Sequence, residues 1–103
     1  MKSFKSFRST KIVSTLGPAS EGIRVIKSLM TSGVNVFRLN FSHGKHQDHL
    51  KSINTIRELE KKLNLQIAIL ADLQGPKFRI GEMKDEILIK PGEIFKFDKS
   101  KLP

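Results

Sequence analysis

The chain has 103 residues and a formal net charge of +9, with 38% hydrophobic and 28% charged residues. That length suits one small domain or a section of a larger one, and the balance is globular rather than disordered. Cysteine is absent, which excludes a disulfide framework and thiol chemistry and permits a reducing compartment. No apolar run approaches the roughly 20 residues that span a bilayer, so a soluble chain with no membrane partner is expected, and a cytoplasmic location is expected alongside it.

The positive charge raises nucleic acid as a partner. With no Trp or Tyr, and seven Phe spread through hydrophobic patterns or the terminal segments, stacking platforms are lacking. A basic surface that attracts small phosphorylated substrates explains the sign equally well, and no nucleic-acid partner is expected.

In chain order, residues 1–10 carry Lys2, Lys5 and Arg8 with Ser and Phe and no acid. A frayed basic tail is expected rather than a transit peptide, because the next strand starts so soon. Lys11 to Leu16 reads as a strand stopped by Gly17-Pro18. Ser20 is the expected N-cap of the first helix, with Glu21 in its first turn. Ile23, Ile26, Leu29 and Met30 recur at helical spacing, and Gly33 supplies the stop.

The stretch Val34 to Gly44, V-N-V-F-R-L-N-F-S-H-G, begins as a strand of β-branched and aromatic residues. Alternation puts Arg38, Asn40 and Ser42 on one face, where an arginine, an amide and a hydroxyl suit an oxyanion and a cation. The same residues also suit a strand end running into a solvated loop. A second helix is expected from about Gln47 to Leu63, with Leu50, Ile53, Ile56, Leu59 and Leu63 as its apolar stripe. Leu65 to Leu73 reads as a third strand, apolar enough at its centre to be covered on both faces. After Pro76 the texture changes, and residues 78–80, 86–89 and 94–97 read as short strands between Gly and Pro turns.

The order β-α-β-α-β implies parallel strands joined by right-handed crossovers. Ligand chemistry gathers at the carboxyl ends of such strands, but the pattern alone does not separate a barrel from an open sheet. Those ends offer Arg38, Lys77 and Arg79 as cations, Asn40, Ser42 and Asp72 as oxygen ligands, and His43 beside them. An arginine fork matches phosphate, and three oxygen-bearing side chains suit a hard cation. The combination points to phosphoryl transfer, which rests on positioning and charge stabilisation. Asp72 also suits a simple turn cap, and Lys77 and Arg79 suit solvated β-edge charges. His43, His46 and His49 fan over roughly 120° of a helix, and without Cys or a fourth ligand nearby they read as helix-start residues rather than a zinc site.

Three blocks, T-K-I-V-S-T-L-G-P-A-S (10–20), G-V-N-V-F-R-L-N-F-S-H-G (33–44) and A-D-L-Q-G-P-K-F-R-I-G (71–81), resemble the amino-terminal signature of pyruvate kinases. The resemblance is colinear from residue 10 to about residue 100. It implies an α/β fold: residues 11–75 open a (β/α)8 barrel, the A domain, and residues 76–103 begin a β-rich lid, the B domain. It implies transfer of the phosphoryl group of phosphoenolpyruvate to ADP, giving pyruvate and ATP, by a homotetrameric glycolytic enzyme. It assigns substrate contact to Arg38, and nucleotide contact to Asn40, Phe41, Ser42, His43 and Arg79. Asn40, Ser42, Asp72 and the Leu73 carbonyl match its potassium site.

One departure stands out. Potassium-dependent members resemble D-T-K-G-P-E where this chain reads D-L-Q-G-P-K, so Lys77 replaces an acid, with Leu73 and Gln74 departing alongside. A lysine ammonium there can stand in for the monovalent cation, which implies a potassium-independent enzyme. The family's phosphoryl-stabilising lysine and its magnesium ligands belong to later strands, and nothing in this sequence matches those blocks. The chain therefore reads as a fragment that is inactive alone, its catalytic residues unknown within these positions. A small basic phosphate- or nucleotide-binding module without turnover is the alternative.

Overall fold

A computed structural model describes residues 8–97; the expectations for the first seven residues of the basic tail and for residues 98–103 lie outside them. Five elements follow in order: strand β1 (Val13–Leu16), helix α1 (Ile23–Ser32), strand β2 (Val36–Asn40), helix α2 (His46–Leu63) and strand β3 (Ala68–Asp72). The strands form one parallel sheet in the order β1-β2-β3. Val13 pairs with Val36 and Val36 with Ala68 at one end, and Leu16 with Leu39 and Leu39 with Ala71 near the other.

Strand β2 is central, and its alternation sorts the molecule into two sides. Phe37 and Leu39 are buried and join Ile26 and Met30 of α1 and Ile56 and Leu59 of α2 in a single core. Val36, Arg38 and Asn40 are only half-buried, because side chains two apart share the opposite face. Both helices therefore cover the Phe37 side and leave the Arg38 side for the site.

Helix α1 begins later than its sequence suggests. Its N-cap is Gly22, without a side-chain cap, because Ser20 is engaged elsewhere. The Ser20 hydroxyl accepts from the Gly17 amide at 2.9 Å, and the Ser20 amide donates to the Gly17 carbonyl at 2.8 Å. The hydroxyl thus closes the Gly17–Ser20 turn rather than capping the helix. Gly33 ends α1 as expected: at φ 115° its amide reaches the Met30 carbonyl, and the Val34 amide reaches the Leu29 carbonyl, the pairing of a Schellman cap. The tail is not frayed at Arg8, whose guanidinium donates to the Gly33 carbonyl and to the Asn35 side chain.

Helix α2 buries Ile56 and Leu59 as its stripe requires, but Leu50 is 57% exposed. The entry to β3 is tied to α2 by Glu60, whose carboxylate accepts from the Ile67 amide at 2.6 Å and from Arg57 at 2.8 Å. Arg57 in turn donates to the Ile67 carbonyl at 2.9 Å. Burial pushes the Glu60 carboxyl upward, but the Arg57 hydrogen bond, the Ile67 amide and the Arg57 charge outweigh it and hold the group below the ordinary glutamate value. A lowered folded-state value means that the contribution of Glu60 to stability is fully present above the ordinary glutamate value and is lost as pH falls through the lowered one. Urea unfolding at about pH 7 and about pH 3 should therefore show a smaller acid loss for Glu60→Gln than for the parent. An equal acid loss in both would rule out this tie.

Two expectations fail beyond α2. Strand β3 is not covered on both faces: Ala68, Leu70 and Ala71 are exposed. Among the described residues the helices occupy one side only, and β3 is the edge of the sheet. Nor does any strand form over residues 73–97. The apolar side chains expected at 78–80, 86–89 and 94–97 include Phe78, Leu88 and Ile94, all strongly exposed. A strand needs a neighbouring ladder for its backbone groups, and these segments have none among the described residues. A turn at Pro91-Gly92 remains, with the Glu93 amide donating to the Lys90 carbonyl at 3.2 Å. Among the described residues, no helix is long and apolar enough to cross a membrane.

Candidate functional site at the carboxyl ends of the strands

Parallel register brings four polar residues from three strands to one face near the strand ends. Thr15 of β1 lies beside Arg38 of β2, and Asn40 of β2 lies beside Asp72 of β3. Arg38 reaches both outer strands. Its Nε donates to Asp72 Oδ2 at 3.1 Å, Nη2 donates to the same oxygen, and Nη1 donates to Thr15 Oγ1 at 3.2 Å.

A guanidinium carries one proton on Nε and two on each terminal nitrogen. Asp72 takes the Nε proton and one from Nη2, and Thr15 takes one from Nη1. One proton on each terminal nitrogen is left, and a guanidinium with free donors on both terminal nitrogens has the chemistry that phosphate or carboxylate recognition uses. The Arg38 and Asp72 side chains keep 30% and 47% of their exposure, so the pair adds little to stability, about 0–1 kcal/mol. Its effect is orientation: the fork is aimed and held from two neighbouring strands.

The loop after β2 continues the rim. The Phe41 amide donates to the Asp72 carbonyl at 2.9 Å, extending the ladder by one bond. The Ser42 amide donates to Asn40 Oδ1 at 3.0 Å, and the His43 amide to the Asn40 carbonyl at 3.3 Å. The strand ends at Asn40, so Ser42 does not keep the alternation that would align it with Arg38 and Asn40; the side chain of Asn40 curls the chain there into a turn. The Phe41 ring packs against the core and lies beside the rings of His46 and His49, centroids 6.0 and 4.5 Å away.

The structure thus brings together Arg38, Asp72 and the Asn40–His43 run. Lys77 and Arg79 lie in the exposed segment after β3 and make no hydrogen bond or ion pair among the described residues. Sequence reasoning missed Thr15. Its signal was the alternation of β1, which places Thr15 on the Arg38 side once the two strands pair in register. The three histidines do not converge: the His49 ring nitrogen is spent on the His43 carbonyl.

Fold and rim together define an α/β protein whose parallel strand ends carry a guanidinium held between neighbouring strands. Residues 7–102 match the family model described as pyruvate kinase, barrel domain. A pyruvate kinase of Staphylococcus aureus is 52% identical over 81 residues, covering 79% of this chain and 14% of that protein. A pyruvate kinase of Buchnera aphidicola is 44% identical over 95 residues, covering 91% and 20% respectively. In three dimensions the chain is similar to the crystal structure of a pyruvate kinase from Cryptosporidium parvum, with a TM-score of 0.61 and 38% identity, over 65% of this chain and 14% of that one. The chain belongs to the pyruvate kinase family. It spans 14% to 20% of the length of these relatives.

Proposed function

We propose that residues 11–75 supply the opening strands of a (β/α)8 barrel, that residues 76–103 begin its β-rich B domain, and that the complete enzyme transfers the phosphoryl group of phosphoenolpyruvate to ADP. It works in the cytoplasm as a homo-oligomer, a tetramer by family likeness. The observation that carries this reading is the Arg38 fork, held between Asp72 and Thr15 with one proton free on each terminal nitrogen. Phosphoryl transfer needs little covalent chemistry from the protein and much positioning and charge stabilisation. Arg38 grips phosphate oxygens of the substrate, and Asn40, Phe41, Ser42, His43 and Arg79 meet the nucleotide. Magnesium, held by residues of later strands, neutralises further phosphate charge when bound.

The cation position is read from donor chemistry. Asn40 and Asp72 are register partners, so an amide oxygen and a carboxylate share one face. The Ser42 hydroxyl makes no hydrogen bond among the described residues. With the Leu73 carbonyl, this set suits a hard monovalent cation. Lys77 carries the same single charge where potassium-dependent relatives have an acid, so potassium becomes dispensable. Turnover of the complete enzyme, measured with and without potassium at fixed ionic strength, is expected to change little. Strong activation by potassium would refute the substitution.

The overall reading is tested by a coupled assay. The complete enzyme should form ATP from phosphoenolpyruvate and ADP, and this chain alone should form none. A complete enzyme without that activity would overturn it, and calorimetric binding of ATP by the chain alone would favour a nucleotide-binding module.

A further inference from the structure

His49 belongs to the first turn of α2, away from the strand ends, yet it touches the rim loop at three points. Its Nε2 lies 2.8 Å from the His43 carbonyl oxygen. A carbonyl can only accept, so that nitrogen carries the proton and donates it. Its ring lies against Phe41, with centroids 4.5 Å apart and planes inclined by 30°, a tilted contact at a separation usual for aromatic pairs. It also covers Gly44, where φ is 77° and a Cβ would come within 3.3 Å of His49 Nε2. The left-handed backbone at Gly44 and the nearby ring together disfavour a side chain there.

The first half of the loop has its own ties, the Ser42 and His43 amides to Asn40. The His43 carbonyl and the turn through Gly44 are held by His49. We infer that His49 is a positioning residue: by fixing the peptide between His43 and Gly44 it sets the direction in which His43 faces the nucleotide. This rests on the nucleotide contact proposed above for that run. Arg38 is anchored independently by Asp72 and Thr15, so loosening the loop spares the phosphoenolpyruvate side of the reaction.

Two variants separate the ring from the proton. His49→Phe keeps an aromatic over Phe41 and loses the donor. His49→Gln loses the ring but carries an amide Nε2 at the same number of bonds from Cα. In the complete enzyme, His49→Phe is expected to raise KM for ADP about fivefold, the effect of one net hydrogen bond, with KM for phosphoenolpyruvate unchanged. His49→Gln should restore most of the ADP affinity. The inference is overturned by an unchanged ADP KM in His49→Phe, by parallel rises for both substrates, or by a His49→Gln no better than His49→Phe. A second readout needs no catalysis: in His49→Phe, amide hydrogen exchange should speed up at His43, Gly44 and Lys45 while Phe37 and Leu39 stay protected. Unchanged exchange across the loop would overturn the tether itself. A parent enzyme that forms no ATP would instead sink the nucleotide reading, and would do so identically in every variant.

Discussion

Arg38→Ala in the complete enzyme is expected to lower kcat by about 10²–10³-fold, the usual cost of removing one preorganised donor from a developing charge. The reason lies in how the fork is aimed. Asp72 and Thr15 hold the guanidinium from both neighbouring strands and leave one proton on each terminal nitrogen, so on the phosphate-binding role proposed for Arg38 the donors are held before the substrate arrives. Arg38→Lys should recover little of the loss. An ammonium keeps the charge, but it cannot bridge two strands and still offer two parallel donors. Steady-state kinetics with saturating ADP would measure both variants, and a lysine variant close to the parent would mean that charge alone suffices.

Phe37→Ala should be the most damaging single change to the fold, costing about 3–5 kcal/mol. Phe37 is fully buried in the central strand and shares one core with residues of both helices. Its loss leaves a cavity at the point where the three elements meet. A typical domain has only about 5–15 kcal/mol in hand, so urea or thermal unfolding followed by circular dichroism should shift strongly. Leu50→Ala is the matched control. Leu50 sits on the same helical stripe as Ile56 but is 57% exposed, and its removal should change stability by no more than about 0.5 kcal/mol. Comparable losses in the two variants would contradict the burial described for this core.

Local chemistry made most elements legible. Apolar spacing marks both helices, and α2 runs from His46 to Leu63 where Gln47 to Leu63 is expected. Gly33 ends α1 in the left-handed conformation its position implies. The misses have a common cause: each depends on which groups meet through space. Ser20 has the chemistry of an N-cap, but the Gly17 turn offers its hydroxyl a nearer partner. The apolar centre of β3 reads as doubly covered, but coverage belongs to neighbouring elements, and among the described residues β3 has a strand on one side only. The apolar segments at 78–80, 86–89 and 94–97 read as short strands but have no ladder to join among the described residues.

The site divides in the same way. Arg38, Asn40 and Asp72 are visible as polar residues at strand ends, because such types are out of place in apolar strands. That Asp72 and Thr15 both hold Arg38 follows from register, which no single strand encodes. His49 is visible only as one of three spaced histidines, and its contact with the His43 carbonyl depends on how the loop closes onto α2. Lys77 is legible as a departure from a family motif rather than through any contact it makes.

The most direct test of the rim is a double-mutant cycle between Arg38 and Asp72 on phosphoenolpyruvate turnover, using Arg38→Lys and Asp72→Asn. If Asp72 acts by aiming the guanidinium, the second substitution should add little once the first is made, because a coupled pair is strongly non-additive. Fully additive losses would show that the two side chains act separately, and would contradict a fork held between neighbouring strands.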